Sequence, residues 1–149
     1  MITSIKDLTK ELGNLSYSIE QVLKQSSYSE YDDLSGLDCD IKDPNELMLR
    51  EQYRSILDHL DQANYTINYL SQPIKTEGYL HKQSNGRYSL NDTELSSGCG
   101  LEVLIYDDFE ERYSWVASRI EHNGQDYYIV GLRDTKLEGL KARIRERGY

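Results

Sequence analysis

Long apolar runs are missing from this chain. No stretch approaches the ~18–20 consecutive apolar residues that a membrane-spanning helix needs, and the opening MITSIKDLTKEL has none of a signal peptide's apolar core. Membrane insertion and secretion are therefore not expected, and a cytoplasmic location is. Cysteine is scarce: Cys39 and Cys99 are too few to staple a small fold and fit a reducing compartment. His59, His81 and His122 stand at no ligand-like spacing to one another or to either cysteine, and no CxxC or HxxxH pair occurs, so a zinc centre lacks its ligands. A phosphate loop is also missing. Gly98-Cys99-Gly100 has no following Lys-Ser/Thr pair and reads as a bulged turn before a strand. Cys99 has no base placed beside it, and Asp107-Asp108 and Glu110-Glu111 read as solvated loop charges rather than an acid–base dyad. The expectation is a protein that is not an enzyme, with no metal and no cofactor.

Positive charge is in short supply as well. Seventeen Lys and Arg face 26 Asp and Glu, a net charge of −9. Such a surface repels phosphate backbones and lacks the footprint of a general nucleic-acid binder, but it can attract a basic protein surface. The imbalance is uneven. Residues 1–76 and 77–135 each carry a net −6, whereas residues 136–149 carry +3.

What the chain does have is two kinds of periodicity. Its 149 residues suit one domain, or a compact domain with a helical attachment. Ile5, Leu8, Leu12, Leu15, Ile19 and Val22 recur at steps of three and four, one stripe of an amphipathic helix that begins at Thr3 or Ser4 and fades near Gln25 to Tyr28. In Asp43-Pro44-Asn45-Glu46 the aspartate can cap, the proline presets the first helical φ, and the glutamate can reach back. From there Leu49, Tyr53, Ile56, Leu60, Ala63, Ile67 and Leu70 carry a second helix to about Ser71, and Pro73 ends it. The simplest arrangement is an antiparallel helical hairpin over residues 1–72, with homodimerisation through the helices as a further option. Residues 73–76 read as a linker.

The connection SSYSEYDDLSGLDCDIKD interleaves tyrosines with acids. Alternating carboxylates suggest calcium, but the EF-hand pattern fails: Lys42 occupies the fifth position counted from Asp38, and no glycine follows at the sixth. As a partner-binding loop, Tyr28, Glu30, Tyr31, Asp32, Asp33, Asp38 and Asp40 offer stacking faces and carboxylates to Arg or Lys.

After Pro73 the period becomes alternating. Gly78–Lys82 and Arg87–Leu90 flank a turn at Asn85-Gly86, and Asn91-Asp92 supplies another turn before Thr93-Glu94-Leu95. Leu101–Tyr106 is the best strand; Tyr113–Glu121 pairs across Asn123-Gly124 with Tyr127–Leu132; Leu140–Arg145 alternates apolar and basic residues. Six short strands with tight turns predict a small antiparallel SH3-like barrel or strongly bent sheet over residues 77–149, and an α+β fold overall. Lys141, Arg143, Arg145 and Arg147 form a basic stripe on one face of the last strand. It reads first as a charged sheet edge. With Tyr128 and neighbouring aromatics, Lys141, Arg143 and Arg145 are also the alternative nucleic-acid-binding residues.

The run Gly86-Arg87-Tyr88-Ser89-Leu90, then Glu94-Leu95 with Gly98, Leu101–Ile105, Trp115 with Ser118–Glu121, Tyr128–Leu132 and Gly139–Ile144 resembles the bacterial domain-of-unknown-function family 5348 over roughly residues 77–145. The resemblance implies a protein of conjugative transposons, plasmids or prophages of Gram-positive bacteria, intracellular and without an established catalytic residue. The chain departs from the pattern by inserting Asp107-Asp108-Phe109-Glu110-Glu111-Arg112. Two expectations follow. The first is a protein-binding accessory factor with a basic partner, in its sharper form an acidic nucleic-acid mimic that occupies a host defence nuclease such as a CRISPR effector, whose channel is positively charged. The alternative is a small nucleic-acid-binding regulator.

Overall fold

The computed structural model describes residues 1–29 and 34–146. The chain divides into two compact units, Met1–Ser71 and Gln72–Tyr149. No helix among the described residues is long and apolar enough to cross a membrane.

The first unit is the helical hairpin. Helix α1 runs Ile5–Gln25 and α2 runs Pro44–Ser71. Ser4 caps α1, its Oγ accepting the N–H of Asp7 at 3.0 Å. At the other end Ser27 turns left-handed (φ +52°), and the N–H of Tyr28 returns to the Leu23 carbonyl at 3.0 Å, which closes the helix. Asp43 caps α2 by accepting the Asn45 N–H at 2.9 Å. Glu46 does not complete a capping box on Asp43. It accepts the N–H of Asp40 at 2.6 Å, because the turn from Asp40 to Asp43 folds that amide over the helix start. Between the helices lies a partly polar seam: buried Ser16 donates to Asn64, whose amide donates to Glu20 at 3.4 Å, beside buried Ile19 and Leu57.

The second unit is a seven-stranded antiparallel sheet, strongly curled into a half-barrel: β1 Ile74–Lys82, β2 Tyr88–Leu90, β3 Thr93–Glu94, β4 Gly100–Asp107, β5 Arg112–His122, β6 Tyr127–Ile129 and β7 Lys141–Arg145. The strand beyond the expected six is the two-residue β3. Nor are residues 74–76 a linker: they open β1, where Ile74 pairs with Arg145 and Thr76 with Ile144. The strand order is β3-β2-β1-β7-β4-β5-β6. The long β1 bends, giving its first half to β7 and Leu80–Lys82 to β2. Period-two alternation turns Leu101 and Val103 of β4 and Ala142 and Ile144 of β7 inward, where they join Leu80, Leu90, Leu95, Ile120 and Ile129 in one core. The opposite face of β4, β5 and β7 carries the polar and aromatic residues of interest, among them buried Glu102 and half-buried Trp115, Arg143 and Arg145.

Candidate functional site

In the interhelical connection the structure gives several candidate residues local work. The hydroxyl of Tyr28 donates to Asp58 Oδ1 at 2.6 Å and so ties the end of α1 to the flank of α2. Asp40 accepts the Lys42 N–H at 3.0 Å through its side chain, building the turn into α2. Asp38 is exposed and borders a cavity of about 260 Å³ lined chiefly by Leu34, Leu37, Cys39, Leu49 and Tyr53. Leu34 is fully buried although its φ is +59°, a conformation costly for a bulky residue and held here by its packing. Glu30, Tyr31, Asp32 and Asp33 lie outside the described residues.

The basic stripe is not an edge. Strand β7 is flanked by β1 and β4, so the charged-edge reading fails: Lys141, Arg143 and Arg145 decorate the interior of the sheet's opposite face. Register sets Arg143 directly across from Glu102. The Arg143 Nε and Nη2 donate to Glu102 Oε1 at 3.0 and 2.8 Å, and Arg145 Nε donates to Oε2 at 2.6 Å. Arg145 Nη1 also donates to the Gln72 carbonyl at 2.8 Å. Glu102 is only 3% exposed, covered by the two guanidiniums that neutralise it. The Arg143 guanidinium lies 4.1 Å over the ring of Trp115. Lys141 faces Glu77 at 4.0 Å. Tyr128 sits on edge strand β6, with β4 and β5 between it and β7, under the guanidinium of Arg133 at 4.9 Å. The four alternative nucleic-acid residues thus form no single groove, and two of them are committed to a buried carboxylate.

A third feature had no role assigned from sequence. The β4–β5 hairpin ends in a tight turn in which Asp107 Oδ1 accepts the N–H groups of Phe109 and Glu110 at 2.9 and 3.0 Å, and Glu111 adopts φ +53°. These bonds fix the turn, yet Phe109 at its tip is 91% exposed, flanked in the chain by Asp107, Asp108, Glu110 and Glu111, with Arg112 3.5 Å from Glu110. Below it Tyr106 and Tyr113 pair edge-to-face across the strands at 5.0 Å. The signal was present in the sequence as an aromatic residue inside an acidic turn, where no turn geometry requires one.

The remaining reactive groups have ordinary partners. His81 meets Glu138 at 2.8 Å, His59 contacts the Ser55 carbonyl at 2.7 Å, and His122 stacks edge-on against Tyr127. Both cysteines are free, and burial pushes the Cys99 thiol above its usual range, which disfavours a thiolate. Among the described residues no group of three His, Cys, Asp or Glu side chains is placed to hold a metal ion.

Comparison with known proteins adds three findings. The chain is 29% identical over 113 residues to the human guanine nucleotide exchange protein SMCR8, a match covering 71% of this chain and 12% of that protein. The chain thus spans about an eighth of the length of that relative. No solved structure matches it significantly. Residues 78–144, the stretch that runs from within β1 to within β7 and contains Glu102, Arg143 and the β4–β5 arm, match the family described as Domain of unknown function (DUF5348).

Proposed function

We propose that this chain is a non-enzymatic protein-binding accessory factor of a bacterial mobile genetic element, acting in the cytoplasm. The observation that carries the reading is Phe109: an ordered turn holds a large apolar side chain in water between two pairs of acids in the chain. A fixed aromatic displayed this way suits insertion into an apolar pocket, while the surrounding carboxylates suit a basic rim. The partner is therefore a protein with a Lys/Arg-lined surface. In its sharper form the partner is a host defence nuclease such as a CRISPR effector, with Asp108, Glu110 and Glu111 standing where phosphates would lie.

Affinity capture with the full chain from a host carrying the element identifies the partner, and two variants test the mode. Phe109→Ala should weaken binding by ~30-fold or more, mainly through faster dissociation. Replacing Asp108, Glu110 and Glu111 by their amides, with Asp107 left to hold the turn, should slow association most at low salt. Binding indifferent to both sets would sink the reading. The nucleic-acid alternative predicts a salt-dependent shift of labelled DNA by the pure protein, lost on replacing Lys141. It is the weaker reading because Glu102 neutralises much of the basic stripe.

A further inference from the structure

We propose that the helical unit docks against a second copy of itself, two hairpins closing face to face into a four-helix bundle. The inference stands apart from the reading of Phe109. Within one hairpin α1 turns Ser16 and Ile19 towards α2, and α2 turns Leu57 and Asn64 towards α1. At 100° per residue, Leu8, Leu15 and Val22 form a row about 80° round α1 from that seam, at steps of seven. Ile56, Ile67 and Leu70 belong to a row a similar angle round α2. The helices run antiparallel, as Ser16 with Asn64 and Tyr28 with Asp58 show, so the two rotations bring both rows onto one side of the hairpin. Loop residue Leu34 covers the end of this side near Leu49 and Tyr53. The rest stays open: Leu15 is 50% exposed, Val22 46%, Ile56 51% and Leu70 58%.

Two arguments choose a second copy as the occupant. The open side chains of the two rows offer on the order of 450 Å² per copy before the residues between and around them are counted, and a two-fold axis makes the patch its own complement. The charge pattern excludes the basic partner proposed for Phe109. On the α2 half of the face, from Asn45 to Leu70, no Asp, Glu, Lys or Arg falls, and on α1 Glu11 is the one charged residue beside the row of Leu8, Leu15 and Val22. A chain of net charge −9 meets least self-repulsion where its surface carries least charge, and this face is such a place. Antiparallel helices whose apolar rows share one side are half of a four-helix bundle.

Light scattering coupled to size exclusion of the full chain tests this. The expected mass is twice the 17.3 kDa of one chain. Leu15→Glu with Ile56→Glu should return it to 17.3 kDa, whereas Tyr17→Glu, on the far side of α1, should leave the dimer intact. Because buried charge can also unravel the hairpin, Leu15→Ala with Ile56→Ala is measured alongside. It should raise the dimer Kd at least ~10-fold with helical dichroism retained. A wild-type chain that stays monomeric at ~100 µM overturns the proposal. So does a dimer indifferent to both pairs of substitutions, since its contact then lies elsewhere.

Discussion

Replacing Glu102 with Ala removes one carboxylate and strands two guanidiniums. In the native sheet Glu102 accepts from Arg143 at 2.8 and 3.0 Å and from Arg145 at 2.6 Å. Taking one partner from a buried ion pair costs about 3–5 kcal/mol, because the remaining charge has lost both water and its counter-ion. Here the lower end applies. The Arg143 and Arg145 side chains keep 21% and 12% of their exposure, Arg143 keeps its Trp115 stack, and Arg145 keeps the Gln72 carbonyl. A loss of about 3 kcal/mol is therefore expected, from a unit of this size whose total stability is on the order of 4–12 kcal/mol. Urea unfolding of the full chain, followed by the fluorescence of its single tryptophan, Trp115, reads this directly, since that ring lies under Arg143. The effect should persist in 1 M salt, because a buried pair is poorly screened. Replacing Glu102, Arg143 and Arg145 together by Leu should recover most of the loss, as no charge is then left unpaired. A Glu102→Ala penalty under ~1 kcal/mol, or a triple variant no better than the single one, would refute the argument.

Two smaller expectations concern the same unit. A methyl group on Gly78 would lie 2.7 Å from Asn91 Oδ1, and Asn91 is held by its own bonds to Thr76 Oγ1 (2.7 Å) and the Glu77 carbonyl (3.1 Å). Gly78→Ala should therefore cost about 1–3 kcal/mol in the same urea assay, and a neutral result would mean that Asn91 yields freely. Four carboxylates are held below their usual range: Glu94 by Asn85 and Arg87, Glu121 by Ser97 and Arg119, Glu138 by the Lys82 N–H and His81, and Asp126 by Lys82 and the Tyr127 N–H. A carboxyl with a depressed folded pKa stabilises the fold above its unfolded value and loses that contribution as pH falls through the folded one. The urea midpoint should thus be flat from neutrality to about pH 5 and decline below it; a midpoint that rose on acidification would contradict these contacts.

Both helices were legible because each carries its own local instructions. The i, i+3, i+4 stripe, Ser4 before α1 and Asp43-Pro44 before α2 depend on neighbours within a few residues. Strand positions were legible for a similar reason, since alternation and Asn-Gly turns are short-range. The order of the strands was not. Nothing near Lys141–Arg145 announces that it will slot between β1 and β4, so its alternating arginines looked like an exposed margin when they were the covering of a buried acid. Glu102 was hidden for the same reason: within Leu-Glu-Val-Leu-Ile it reads as an outward residue, and its partners lie 41 and 43 positions away. Tyr28 and Asp40 have a local role that the sequence did not announce. Tyrosines and aspartates in a polar loop suggest contact with another molecule, and these two hold the hairpin's own turn.

The place of β7 has a consequence for how the protein is made. β1 and β4 lie on either side of a strand that is synthesised after every other strand. A ribosome adding 5–20 residues per second needs on the order of 3–14 s to pass from β1 to β7. Over that interval the β1 edge, and from its own synthesis the β4 edge, that will meet β7 has no partner. The half-barrel can close only as Ala142 and Ile144 arrive, so its folding waits for its last strand, and the nascent chain carries two adhesive edges for as long as it waits.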